Sequence, residues 1–126
     1  MALPVRILFL VHGIATAAAG VVLVVAPNLI PSTVGIVLAP EEFLLPYLLA
    51  GAELALAVLS FGALQMKDPA AIRLIALVFA ALHVLTAGLE LLAPLQSPVL
   101  LVNAAVRVVV AVLFVVVAWP RRVGRS

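Results

Sequence analysis

Apolar residues dominate the chain in four long runs, and each run ends where proline or a small cluster of polar residues interrupts it. A helix that crosses the hydrocarbon core of a bilayer needs about 20 mostly apolar residues at about 1.5 Å rise each. The runs "ILFLVHGIATAAAGVVLVVA", "PYLLAGAELALAVLSFGALQM", "AIRLIALVFAALHVLTAGLELL" and "PVLLVNAAVRVVVAVLFVVVAW" meet that length and predict helices over 7–26, 46–66, 71–92 and 98–119. Pro27, Pro46, Pro69, Pro94, Pro98 and Pro120 stand at or just past the boundaries. Proline suits a first helical turn and stops a last one, because it lacks the N–H that an inner turn requires. The valine-rich fourth run would pass for a strand on propensity, but a strand in lipid leaves its backbone unpaired, and the alternation of a barrel is absent. The expectation is an all-α fold: one domain over 1–126, an integral membrane bundle of four antiparallel transmembrane helices.

The connections are unequal. "KDP" and "APLQSP" are short enough to make the helices they join antiparallel neighbours. The segment 27–45, "PNLIPSTVGIVLAPEEFLL", is longer and still apolar. It reads either as an interfacial connector or as a lid over the bundle mouth, with a short helix capped by Ser32 or Thr33. The small residues of "ATAAAG" resemble a signal-peptidase site, but the first apolar run is long for a signal peptide and His12 interrupts it, so it is read as a retained span.

Polar residues inside the runs fall into stripes. His12, Thr16 and Gly20 recur at four-residue steps; Glu53, Ala57 and Ser60 share a face of the second helix; His83, Thr86 and Glu90 lie at i, i+3, i+7 of the third; and Asn103 and Arg107 are i, i+4 on the fourth. Ionisable groups at membrane depth are costly and normally face the bundle interior and one another. Arg107 lies about 13 Å from one end of its helix, and Glu53 about 10 Å from the same side of the membrane. Glu90 lies near that side as well, so the expectation is that Arg107 is clamped by Glu53, Glu90 or both, with Asn103 level with them. For each histidine the expectation is a hydrogen bond to a neighbour, with Thr16 and Thr86 in reach.

Composition sharpens this picture: 67% of the 126 residues are hydrophobic and 10% charged, and the mean hydropathy is +1.43. Soluble domains carry about 25% charged residues, so a water-facing surface cannot be built here, and the bilayer is the expected partner. The chain has no cysteine, which excludes disulfides and thiol chemistry. A pI near 10.0 would suggest nucleic acid in a soluble protein; here the basic residues read as topology signals and no nucleic acid is expected. Arg6, Lys67, Arg73, Arg121, Arg122 and Arg125 fall on one side, while the other carries Glu41 and Glu42 and no Lys or Arg. The positive-inside rule then places both termini in the cytoplasm of a multi-pass protein of the cell membrane. Trp119 on the inner side, with Phe43 and Tyr47 on the outer, would form the aromatic belt.

The candidate ligand- or proton-binding residues are therefore His12, Glu53, His83, Glu90, Asn103 and Arg107. One reading is a site that binds or transports a small amphipathic or anionic ligand, with His83 as a proton carrier. A second is an accessory subunit of a larger membrane complex, or a homo-oligomer, in which the charges hold helices in register. A third is an enzyme or a haem protein with His12 and His83 as axial ligands. These lie about 8 Å and about 17 Å from the inner ends of their helices, an offset that argues against one shared iron. No catalytic motif, metal triad or phosphate loop is present, so no cofactor is expected.

Three stretches together carry a family resemblance: "HGIATAAAG" in the first span, "AGAELALAVLSFGAL" in the second and "ALVFAALHVLTAGLE" in the third. With them the chain resembles the DoxX-like group of small four-helix membrane proteins. The resemblance implies the same four-helix architecture, an association with respiratory or redox-linked complexes, and functional weight on Glu53 and His83. The absence of cysteine gives redox work no support. Small multidrug transporters also have four helices, but they are less similar: their essential glutamate lies in the first helix, where this chain has His12 and Thr16.

Overall fold

The computed structural model describes residues 1–95 and 97–119. Among these every regular element is a helix, in the order α1 (Leu3–Val25), the one-turn α2 (Leu29–Ser32), a 3-10 turn (Pro40–Glu42), α3 (Leu44–Ala63), α4 (Pro69–Leu92) and α5 (Pro98–Ala118). Four helices are long and apolar enough to cross a membrane. The expected all-α class and four spans are thus present, with ends moved by a few residues. α1 starts at Leu3 because Pro4 occupies its first turn, and the helix takes Arg6 in. α4 starts at Pro69, where the Asp68 side chain accepts a 2.9 Å hydrogen bond from the Ala70 amide and caps the exposed N–H groups.

The chain divides between Gln65 and Met66 into two compact units. In the first, α1 packs on α3. A Cβ placed at Gly13 would touch Phe61, and one at Gly20 would touch Leu54 and come within 3.2 Å of the Ala50 carbonyl oxygen. As numbers rise along α1 they fall along α3, so the pair is antiparallel. In the second unit α4 packs on α5, and Phe79 and His83 both meet Phe114 while Glu90 meets Arg107, which makes this pair antiparallel too. Buried positions recur at steps of seven: Phe9, Thr16 and Leu23 on α1, Ala50 and Ala57 on α3, Ala80 and Ala87 on α4, and Ala104, Ala111 and Ala118 on α5. A seven-residue seam of mostly small side chains lets helices approach closely, which is how membrane helices associate where lipid supplies no hydrophobic drive.

The remaining faces are apolar and open. Val25, Leu48, Val58, Leu74, Leu85, Leu89, Val109 and Val116 are all exposed. Apolar exposure along whole helices fits a lipid surround and no aqueous one. The aromatic pair Phe43 and Tyr47 stands edge to face at 6.2 Å where α3 begins, and Trp119 lies exposed at the end of α5. Arg121, Arg122 and Arg125, which carry part of the topology argument, lie outside the described residues.

The connector between α1 and α3 satisfies its own polar groups. Asn28 pairs with the Leu38 peptide through two bonds, its Oδ1 accepting from Leu38 N at 2.7 Å and its Nδ2 donating to Leu38 O at 2.9 Å. Gly35 turns the chain at φ +82°, a conformation that side-chain-bearing residues rarely adopt. Ser32 and Thr33 do not cap the short helix as expected. It begins at Leu29, ahead of both, and their hydroxyls donate back to the carbonyls of Leu29 and Ile30. Glu42 Oε2 accepts from the Ala39 amide at 2.8 Å. Asn28→Leu removes both bonds to Leu38. It is expected to loosen the connector locally by about 1 kcal/mol, read as a several-fold faster exchange of the Leu38 amide. Unchanged exchange there would show that the connector is held by something else.

Candidate functional site

The six candidate residues fall on both hairpins, and the structure gathers three of them. In the second hairpin, Glu90 lies two residues before the end of α4 and meets the second and third turns of α5. Its Oε1 accepts from Asn103 Nδ2 at 2.7 Å and from Arg107 Nε at 3.0 Å. The i, i+4 spacing of Asn103 and Arg107 on one helix allows both to reach a single oxygen. Arg107 and Glu90 are largely buried, at 24% and 17% side-chain exposure. Glu90 is therefore an acid that holds Arg107, as expected. The grip is one-sided, however. Among the described residues Glu90 Oε2 is buried with no hydrogen-bond partner, and the terminal nitrogens of Arg107 have none either. A fork-to-fork arrangement would have used both oxygens.

Asn103 is exposed, because the buried seam of α5 runs through Ala104, Ala111, Phe114 and Ala118. The cluster thus sits at an edge of the α4–α5 pair. Beside it, a cavity of about 30 Å³ is lined by Glu90 and Ser97 together with Leu91, Leu95, Leu100 and Leu101. That volume suits one or two waters, each needing about 10–15 Å³.

His83 lies seven residues before Glu90 on the same face of α4, buried, with its ring stacked on Phe114 at 6.4 Å and 9° between planes. Thr86 is half-buried between them.

In the first hairpin, His12 is buried on α1, and its Nδ1 lies 2.7 Å from Ser60 Oγ on α3. The expected partner Thr16 does something else: its hydroxyl donates to the backbone carbonyls of His12 and Gly13, at 2.9 and 3.2 Å. A threonine one turn further along a helix bonds back to its own backbone, which takes its donor away from the histidine ring. Ser60 is the site residue that sequence reasoning missed as a partner, although it stood on the polar stripe of α3, and it is fully buried. Glu53, half-buried, stands two turns before it on the same helix. Ser60→Ala is expected to lower stability by about 0.6–1.7 kcal/mol, the range for hydrogen bonds between membrane helices. Thermal denaturation in mild detergent measures it, and a shift no larger than that of Ser32→Ala would show the contact to be idle.

No three of the His, Cys, Asp or Glu side chains among the described residues group as a metal set. No family model, curated protein or solved structure matches this chain.

Proposed function

We propose that this chain is a small polytopic protein of the cell membrane that binds the head group of an amphipathic anion at Arg107. One observation carries the reading: Arg107 is fixed to Glu90 through Nε alone, leaving its terminal N–H groups without a partner among the described residues. A guanidinium with its outer edge free presents a planar fork of donors that matches a carboxylate, sulfonate or phosphate. Intramembrane charge marks a functional site by default. Asn103 stands beside it, exposed, and Leu101, Val102 and Val106 offer an exposed apolar track on α5 for the tail.

Native mass spectrometry of the protein in mild detergent tests the reading. A co-purifying anionic amphiphile that is lost in Arg107→Gln supports it; retention of the same ligand by the variant removes it. A second reading, an accessory subunit of a larger complex, is favoured by Gly51, Gly62 and Gly88, where a Cβ would meet nothing within 4 Å. Small residues on an open helix face admit another helix closely, and partner subunits in the same spectra would support this alternative. The DoxX-like resemblance fits either reading.

Both termini are placed in the cytoplasm, on the six-to-none division of flanking basic residues. Labelling of a cysteine at position 126, but not at position 42, from outside intact cells would reverse that orientation.

A further inference from the structure

We infer that an anion binding at Arg107 brings one proton with it, and that the proton is taken up by Glu90 on Oε2. The inference rests on the anion site proposed above and adds its coupling. Arg107 and Glu90 together are neutral. An anion at the free edge of the guanidinium leaves the cluster with a net negative charge at membrane depth, where uncompensated charge is disfavoured.

The geometry says which atom takes the proton. Oε1 already accepts from Asn103 and Arg107, whereas Oε2 is buried with no partner among the described residues. Protonation of Oε2 leaves both bonds to Oε1 in place, since a neutral carboxyl still accepts through its carbonyl oxygen. The water-sized cavity lined by Glu90 and Ser97 leaves room for a water beside the carboxyl. Within this hairpin the other charged or titratable groups at the cluster are Arg107, from α5, and His83, two turns earlier on α4. The balance is simple: the neutral cluster, one anion and one proton combine to give a complex with no net charge.

Decanesulfonate is the appropriate probe, because its own charge does not titrate near neutral pH and any proton uptake belongs to the protein. Calorimetric titration of the full-length protein in uncharged detergent, repeated in buffers of different ionisation heat, counts the protons. The expected result is net proton uptake on binding, with an affinity that falls as pH rises. In Glu90→Gln, which keeps an acceptor at the Oε1 position, binding becomes independent of pH. His83→Gln leaves the coupling intact and assigns it should Glu90→Gln fail to fold. Binding without proton uptake, coupling that survives in Glu90→Gln, or coupling lost in His83→Gln overturns the inference while leaving the anion site standing. No binding of decanesulfonate at any pH overturns both.

Discussion

Arg107→Leu is expected to destabilise the protein by about 3–5 kcal/mol near neutral pH, because it leaves Glu90 at membrane depth with Asn103 as its only polar partner among the described residues. Removing one member of a buried ion pair costs far more than the pair contributes, since the survivor keeps its desolvation without its counter-charge. Adding Glu90→Leu to Arg107→Leu removes both charges and should return most of the lost stability. Thermal melts in mild detergent across a pH series measure all of this. A single Arg107→Leu variant that melts with the parent at every pH would show that the arginine reaches water past Glu90 and is not held by it.

Gly20→Ile is expected to have the next largest effect, a loss of about 1–3 kcal/mol toward the upper end of that range. Its Cβ would lie 2.7 Å from Leu54 Cγ, and the Ala50 carbonyl behind it, at 3.2 Å, belongs to a helix backbone that cannot swing aside. Part of the strain relaxes at Leu54, which is partly exposed; the rest separates α1 from α3. Gly51→Ala and Gly88→Ala are the controls. Nothing lies within 4 Å of either Cβ, and alanine is the better helix former by about 1 kcal/mol. These two should match or exceed the parent in a denaturation series. Equal losses at Gly20 and Gly51 would mean that the close approach of α1 to α3 is not what the substitution disturbs.

Much of this architecture was legible because lipid imposes a severe rule: a spanning segment must be helical and apolar for about 20 residues. Runs of that length bounded by proline leave little choice, so the helices fell where hydropathy placed them. Their exact ends did not, as α1 shows. Pro4 is a better start signal than the hydropathy of the residues after Arg6. The Glu90–Arg107 contact was legible for a related reason, since few other groups at that depth carry charge. The details lost were those that spacing alone does not decide. Period places Asn103 on the face of Arg107, but whether that face is buried depends on where the alanine seam runs. Thr16 stood one turn from His12, but proximity along a helix sends a threonine hydroxyl to the backbone and leaves the ring to the facing helix. Asn28 carried no signal at all, because an asparagine after proline reads as a turn residue, and its two bonds reach ten residues ahead.

The contact between Glu90 and Arg107 also bears on how the chain enters the membrane in the first place. An arginine at the centre of a helix opposes insertion by about 2.5–3.5 kcal/mol on the translocon scale. Glu90 precedes Arg107 by 17 residues, so synthesis delivers the acid first. At about 5–20 residues per second, the arginine leaves the ribosome within a few seconds of its partner. α4 and α5, joined by a short connection, can then partition as one hairpin with this pair already matched. The order of the two residues in the chain thus lets a ribosome hand a cation to the lipid without ever presenting it alone.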